Sequence, residues 1–188
     1  MEKYNIEVAG VKRELPFVDI NEGMAYASFV VISDTELISK AAPLLVEKIG
    51  KCDAIVTAEA KGIALAYEIS RLMGLKEFIV ARKSSKTYMK DTVQIDVHSI
   101  TTANKQILLL DGADCEKIRG KNVCVVDDVV STGESLNALE QLVYKAEAKV
   151  VKKVCILAEG NAADRDDLIF LEKLPLFKKI SAGDYEVL

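Results

Sequence analysis

The stretch Val123–Ser135, VCVVDDVVSTGES, constrains this chain more than any other. Apolar residues without alternation run into two adjacent carboxylates, Asp127 and Asp128, and a hydroxyl- and glycine-bearing turn follows. An uninterrupted apolar run of this length reads as a strand buried on both faces, as in a parallel sheet. In open α/β sheets, ligands bind outside the carboxyl ends of the strands, where these acids and this turn must lie. The turn Ser131-Thr132-Gly133 offers hydroxyls and free backbone N–H groups at a helix N-terminus, which suits a phosphate. The acids repel that phosphate, so they must serve sugar hydroxyls or a metal-bound water shell instead. A plainer pattern fits the same residues. Ser131 and Glu134 have the spacing of a capping box, and paired acids at a strand end also occur in receiver-type domains and metal sites.

The flanking chain alternates strand and helix. Ala54–Glu59 and Phe78–Ala81 read as strands, and Ile63–Met73 reads as a helix closed by Gly74. This alternation predicts right-handed βαβ units and a parallel sheet. Ser33–Glu36 forms a second capping-box pattern, opening a helix with Leu37, Ile38, Ala41, Leu44, Leu45 and Ile49 on one face, with Pro43 as a kink point. Residues 4–31 alternate apolar and polar side chains and predict short antiparallel strands broken by Gly10, Pro16 and Gly23. Thr92–Ser99 and Gln106–Leu110 predict a hairpin joined by Thr101–Lys105. Asp111–Asp114 reads as a turn, and Leu168–Leu171 as a short strand. After the Val123–Ser135 stretch, Leu136, Leu139, Leu142, Val143 and Ala146 fall on one helical face.

Between Arg82 and Asp91 the apolar periodicity disappears, and four cations fall within nine residues. A solvated loop is the common fate of such a run. A lid that closes over a polyanion is the alternative, since the segment begins at the ligand edge of the sheet.

Several functions are excluded or disfavoured. The net charge of −4 gives no bulk attraction for nucleic acid. No run of about 18 apolar residues and no signal-peptide pattern occurs, so a cytoplasmic protein without a membrane partner is expected. Cys52, Cys115, Cys124 and Cys155 lack metal-site spacing and read as reduced thiols. His98 is the single histidine, which leaves little material for histidine-based metal sites. No GxxxxGK motif is present.

The residues Val125–Ser135 resemble the phosphoribosyl pyrophosphate loop of type I phosphoribosyltransferases. Glu59-Ala60-Lys61-Gly62 is similar to the pyrophosphate-binding turn of the purine enzymes, and Arg82-Lys83…Lys86 to a segment of the adenine enzymes. The resemblance covers residues 50–160 and implies an α/β fold. It would be a three-layer parallel-sheet core, with a small hood built from the N- and C-terminal segments. The boundaries would be 1–33 for the first hood segment, 34–159 for the core with a flexible lid at about 84–105, and 160–188 for the second hood segment. The implied reaction moves ribose 5-phosphate from phosphoribosyl pyrophosphate to a purine, with adenine the first choice.

In that reading Asp127 and Asp128 hold the ribose hydroxyls and the waters of a Mg²⁺ ion, which binds through substrate rather than to direct protein ligands. Ser131, Thr132, Gly133, Glu134 and Ser135 cradle the 5′-phosphate. Lys61, Gly62, Arg82, Lys83 and Lys86 face the pyrophosphate, with Lys86, like Asp127 and Asp128, also acting in catalysis. Val129, Val130 and Phe17 contact the base. A homodimer is implied by the resemblance alone.

Departures are visible too. Ser131 stands where many oxopurine enzymes carry an acid, and Glu159-Gly160 where the xanthine enzymes place a lysine. Ser99–Asp111 looks more like the xanthine enzymes. Ala60–Tyr67 looks like the sensor domain of the bacterial purine repressor, so a non-catalytic binder of phosphoribosyl pyrophosphate is the rival expectation. No helix-turn-helix pattern precedes the first strands.

Overall fold

A computed structural model describes residues 3–97 and 106–188. His98, Ser99 and the Thr101–Lys105 connection lie outside them, as does the end of the lid expected at 84–105. The central sheet contains β4 (Ala54–Ala58), β5 (Ile79–Ala81), β8 (Asn122–Val130), β9 (Lys149–Glu159) and β10 (Glu172–Leu174) in the order β10-β9-β8-β4-β5. Every neighbouring pair is parallel. Parallel strands bury both faces, and Val123 to Val126 at the centre of β8 are completely buried.

Side chains alternate across this sheet and feed two cores. Cys124 and Val126 pack with Leu37, Leu45, Leu65 and Ile69 from α1 (Thr35–Ile49) and α2 (Ile63–Leu72). Val123 and Val125 pack with Cys115 and Ile118 of α3 (Gly112–Ile118) and with Leu136, Leu139 and Leu142 of α4 (Glu134–Lys145). The apolar stripe of α4 is therefore the one its spacing predicts. Each fully buried leucine contributes about 2 kcal/mol of transfer free energy, so both helices are held mainly by this burial.

The N-terminal strands β1 (Lys3–Val8), β2 (Val11–Asp19) and β3 (Met24–Ala27) join β11 (Leu176–Ser181) and β12 (Asp184–Val187) in one antiparallel sheet, ordered β1-β2-β3-β11-β12. Both ends of the chain thus build one hood. A separate hairpin, β6 (Val93–Val97) with β7 (Gln106–Leu110), runs in the predicted register region, with Val93 opposite Leu110 and Val97 opposite Gln106.

Four sequence expectations need correction. Pro16 lies inside β2 and does not end it. Asp34, not Ser33, caps α1, its Oδ1 accepting from Leu37 N at 3.1 Å. Arg13 selects it, donating to both Asp34 oxygens at 2.7 and 2.9 Å and to Glu36 at 2.8 Å. Asp111–Asp114 opens α3 and is not a free turn. The last core strand is Glu172–Leu174, while Leu168–Leu171 contributes only an isolated bridge from Ile169 to Val154.

Candidate active site

The register of β8 creates the site. Its pairing with β4 stops at Thr57 opposite Val126, whereas its pairing with β9 continues to Val130 opposite Ala158. Asp127 and Asp128 thus lie on the last part of the strand, uncovered by β4. The β4–α2 turn, Glu59–Gly62, folds over them. A Cβ at Gly62 would lie 2.4 Å from Thr57 Oγ1 and 3.5 Å from Asp127 Cα. Glycine is required there because the turn packs against the strands, not because an anion needs the space.

Asp128 is buried, and its Oδ2 accepts no hydrogen bond within the protein. Lys61 Nζ lies 3.7 Å from that oxygen. Asp127 Oδ1 accepts from the Asp128 backbone N–H at 2.9 Å. Burial first, and the neighbouring Asp128 charge second, push the Asp127 carboxyl up to about 8, while Lys61 pulls it back. Two carboxylates this close cannot share a desolvated site at full charge without an external cation or donors. Among the described residues no group of three His, Cys, Asp or Glu side chains could cage a metal. The pair fits a hydrated Mg²⁺ held through waters and substrate oxygens, with the free Asp128 Oδ2 as one acceptor.

The phosphate-type turn follows. Gly133 is the N-cap of α4 at φ +81°, and no side chain caps this helix. The capping box of Ser131 and Glu134 is therefore absent; the nearest contact is Glu134 N to Thr132 Oγ1 at 3.5 Å. The first-turn N–H groups stay open at the positive end of the helix dipole. Gly133 has a second constraint, since a Cβ there would meet an Arg165 guanidinium nitrogen at 2.5 Å.

These pieces line two adjoining cavities. The first, about 440 Å³, is walled by Glu59, Lys61, Lys83, Asp127, Asp128 and Ser135 among others. The second, about 790 Å³, lies between hood and core and includes Tyr26, Phe29, Lys61, Val129, Ser131, Thr132, Glu134, Ser135 and Glu159. Lys61, Val129 and Ser135 face both, so the two cavities share a wall.

Arg82, Lys86, Val130 and Phe17 are not among the residues that line either cavity. Arg82 is drawn to Glu59, with Nε 3.5 Å from its carboxylate, and Lys83 N donates to the same group at 2.6 Å. Lys86 Nζ donates to Ser84 Oγ at 2.7 Å in the exposed turn, away from both cavities. Val130 turns into the core. Phe17 stacks on Tyr185 with centroids 4.1 Å apart and meets Phe177 edge-on at 4.8 Å, so its ring belongs to the hood. Tyr26 and Phe29 take the cavity position expected of Phe17. Tyr26 lies on β3 and Phe29 just beyond it, so their place at the cavity depends on how the hood seats on the core, which local pattern does not carry. All four cysteines are free, with Cys115, Cys124 and Cys155 buried.

A model of the phosphoribosyl transferase domain matches residues 35–179. The chain belongs to the phosphoribosyltransferase family. A hypoxanthine/guanine phosphoribosyltransferase of Methanococcus voltae is 33% identical over 140 residues, 74% of this chain and 71% of that protein. A xanthine phosphoribosyltransferase of Clostridioides difficile is 30% identical over 138 residues, 71% and 72% of the two chains. The fold of the chain is that of the adenine phosphoribosyltransferase of Thermoanaerobacter pseudethanolicus. The TM-score is 0.66 at 21% identity, covering 92% of this chain and 96% of the other. These neighbours set the chain in the type I purine branch. Among the described residues, no helix is long and apolar enough to cross a membrane.

Proposed function

We propose that the protein transfers ribose 5-phosphate from phosphoribosyl pyrophosphate to a purine nitrogen, with adenine as the acceptor. The C1′–O bond to pyrophosphate breaks, the C1′–N bond forms, and the base nitrogen loses its proton. The carrying observation is the pair of adjoining cavities, whose walls bring together Lys61 and Lys83, the carboxylate pair, and Ser131, Thr132 and Ser135 at the uncapped start of α4. A ligand with two anionic ends and a diol between them matches that set of groups.

Asp127 and Asp128 would hold the ribose hydroxyls and the waters of Mg²⁺, which supplies charge neutralisation for the departing pyrophosphate when bound. Lys61 and Lys83 stabilise the same developing charge. Arg82, held by Glu59, and Lys86, in the neighbouring turn, would need to reorient to join them. Ser131 is a poor base, so proton removal falls to another group or to solvent. The adenine reading is supported by Ser131 and by the Arg82–Lys86 segment, while the curated relatives act on oxopurines by name. Work in the cytoplasm as a homodimer belongs to the same reading.

The test combines phosphoribosyl pyrophosphate, Mg²⁺ and each nucleobase in turn and follows nucleoside monophosphate. Product with adenine is expected. Product only with oxopurines would move the acceptor, and tight donor binding without any product would favour a sensor.

A further inference from the structure

Glu159 ends β9 at the ligand edge of the sheet, immediately after the Ala158 that pairs with Val130 of β8. Its side chain lines the larger cavity together with Tyr26, Phe29 and Val129. It is half-buried and has no hydrogen-bond or ion-pair partner among the described residues. Burial raises its pKa, and only the field of Lys61 acts in the other direction. A half-buried carboxyl group that faces a cavity and accepts from no described residue is free to take a donor supplied by a ligand. The donor cannot be a phosphate or pyrophosphate group, because like charges repel. The aromatic and aliphatic walls beside it suit a flat ring.

We propose that Glu159 is a specificity-determining residue of the base pocket, accepting hydrogen bonds from an amino group of the purine. This rests on the phosphoribosyltransferase reading above and assigns the residue that would favour an aminopurine, adenine or guanine, over hypoxanthine and xanthine. Adenine presents an exocyclic amino group. Guanine presents an amino group beside a ring N–H, a pair that matches two carboxylate oxygens. Xanthine flanks its ring N–H with two carbonyl oxygens, whose lone pairs face the acid unfavourably, and hypoxanthine has no amino group. A site built around a fixed acceptor rejects ligands that lack the matching donor, because the buried group is then left unpaired.

Equilibrium binding of AMP, GMP, IMP, XMP and ribose 5-phosphate by calorimetry tests this, since it needs no turnover. Either AMP or GMP is expected to bind at least about tenfold more tightly than IMP and XMP, the worth of one charge-assisted hydrogen bond. In Glu159→Leu that preference should vanish while ribose 5-phosphate affinity stays the same, and Glu159→Gln should show an intermediate preference. A wild-type preference for IMP or XMP would overturn the assignment, as would an unchanged ranking in both variants. Failure of ribose 5-phosphate to bind wild-type protein would instead remove the underlying reading, and the assignment with it.

Discussion

Lys61 Nζ lies 3.7 Å from Asp128 Oδ2, joining the β4–α2 turn to the buried end of β8. The lysine side chain is 54% exposed and the aspartate 5%. One partner is thus free to turn toward a ligand, while the other is fixed. Within the protein, Lys61 offsets the charge of a buried carboxylate whose Oδ2 accepts no hydrogen bond from the described residues.

Lys61→Met should therefore act twice. Removing a half-exposed ammonium from beside the acid should cost up to about 1 kcal/mol of stability in ligand-free protein, and donor affinity should fall by at least about tenfold. Urea denaturation and calorimetric titration with phosphoribosyl pyrophosphate read the two effects. Undiminished affinity would place Lys61 outside the pyrophosphate site.

Asp128→Asn keeps the shape of the side chain and removes its charge. Donor affinity in the presence of Mg²⁺ is expected to drop by at least about tenfold, with little dependence on which base is added. Equal affinity for wild-type and substituted protein would mean that the diol and the hydrated ion bind elsewhere.

Asp127 gives a pH signature in metal-free buffer. Its ordinary carboxyl value is 3.8 and its folded value is about 8. Between these two values the native state binds the extra proton, so this group's contribution is complete below about pH 4 and is lost progressively as the pH rises to about 8. Asp127→Asn can retain the bond from the Asp128 N–H but has no proton to lose. Its melting temperature should match that of wild type near pH 4 and exceed it near pH 8. Parallel melting curves across that range would contradict the cause given for the shift.

The β8–α4 stretch was legible because a parallel-sheet strand and an amphipathic helix each carry a strong local pattern. The hood strands were legible for the same reason. What local pattern could not carry was the choice between neighbours made by distant residues. Asp34 rather than Ser33 caps α1 because Arg13, on β2, reaches it. Phe17 lies in the hood aromatic cluster because its ring meets Phe177 and Tyr185, more than a hundred residues away. Asp111-Gly112 has turn composition, yet the same residues serve a helix start once Cys115 N bonds the Asp111 carbonyl at 3.0 Å. Glu159 stood out in sequence only as a departure, since its lack of a partner depends on the cavity.

Gly133 tests the phosphate turn separately from the acids. Its φ of +81° disfavours any other residue, and a Cβ there would push the adjacent Arg165 guanidinium aside. Gly133→Ala should cost about 1 kcal/mol from the backbone alone and weaken ribose 5-phosphate binding more than adenine binding. A calorimetric titration in which both affinities fall equally would argue that the turn shapes the whole cleft and does not hold the phosphate.

The most direct measurement mixes wild-type protein with phosphoribosyl pyrophosphate, Mg²⁺ and adenine, guanine, hypoxanthine or xanthine, and quantifies pyrophosphate and nucleotide together. Expected is one pyrophosphate released per nucleoside monophosphate formed, with adenine the best substrate, and no release when the base is omitted. No nucleotide from any of the bases, with donor binding intact, would contradict a transferase built around the Asp127–Asp128 pair.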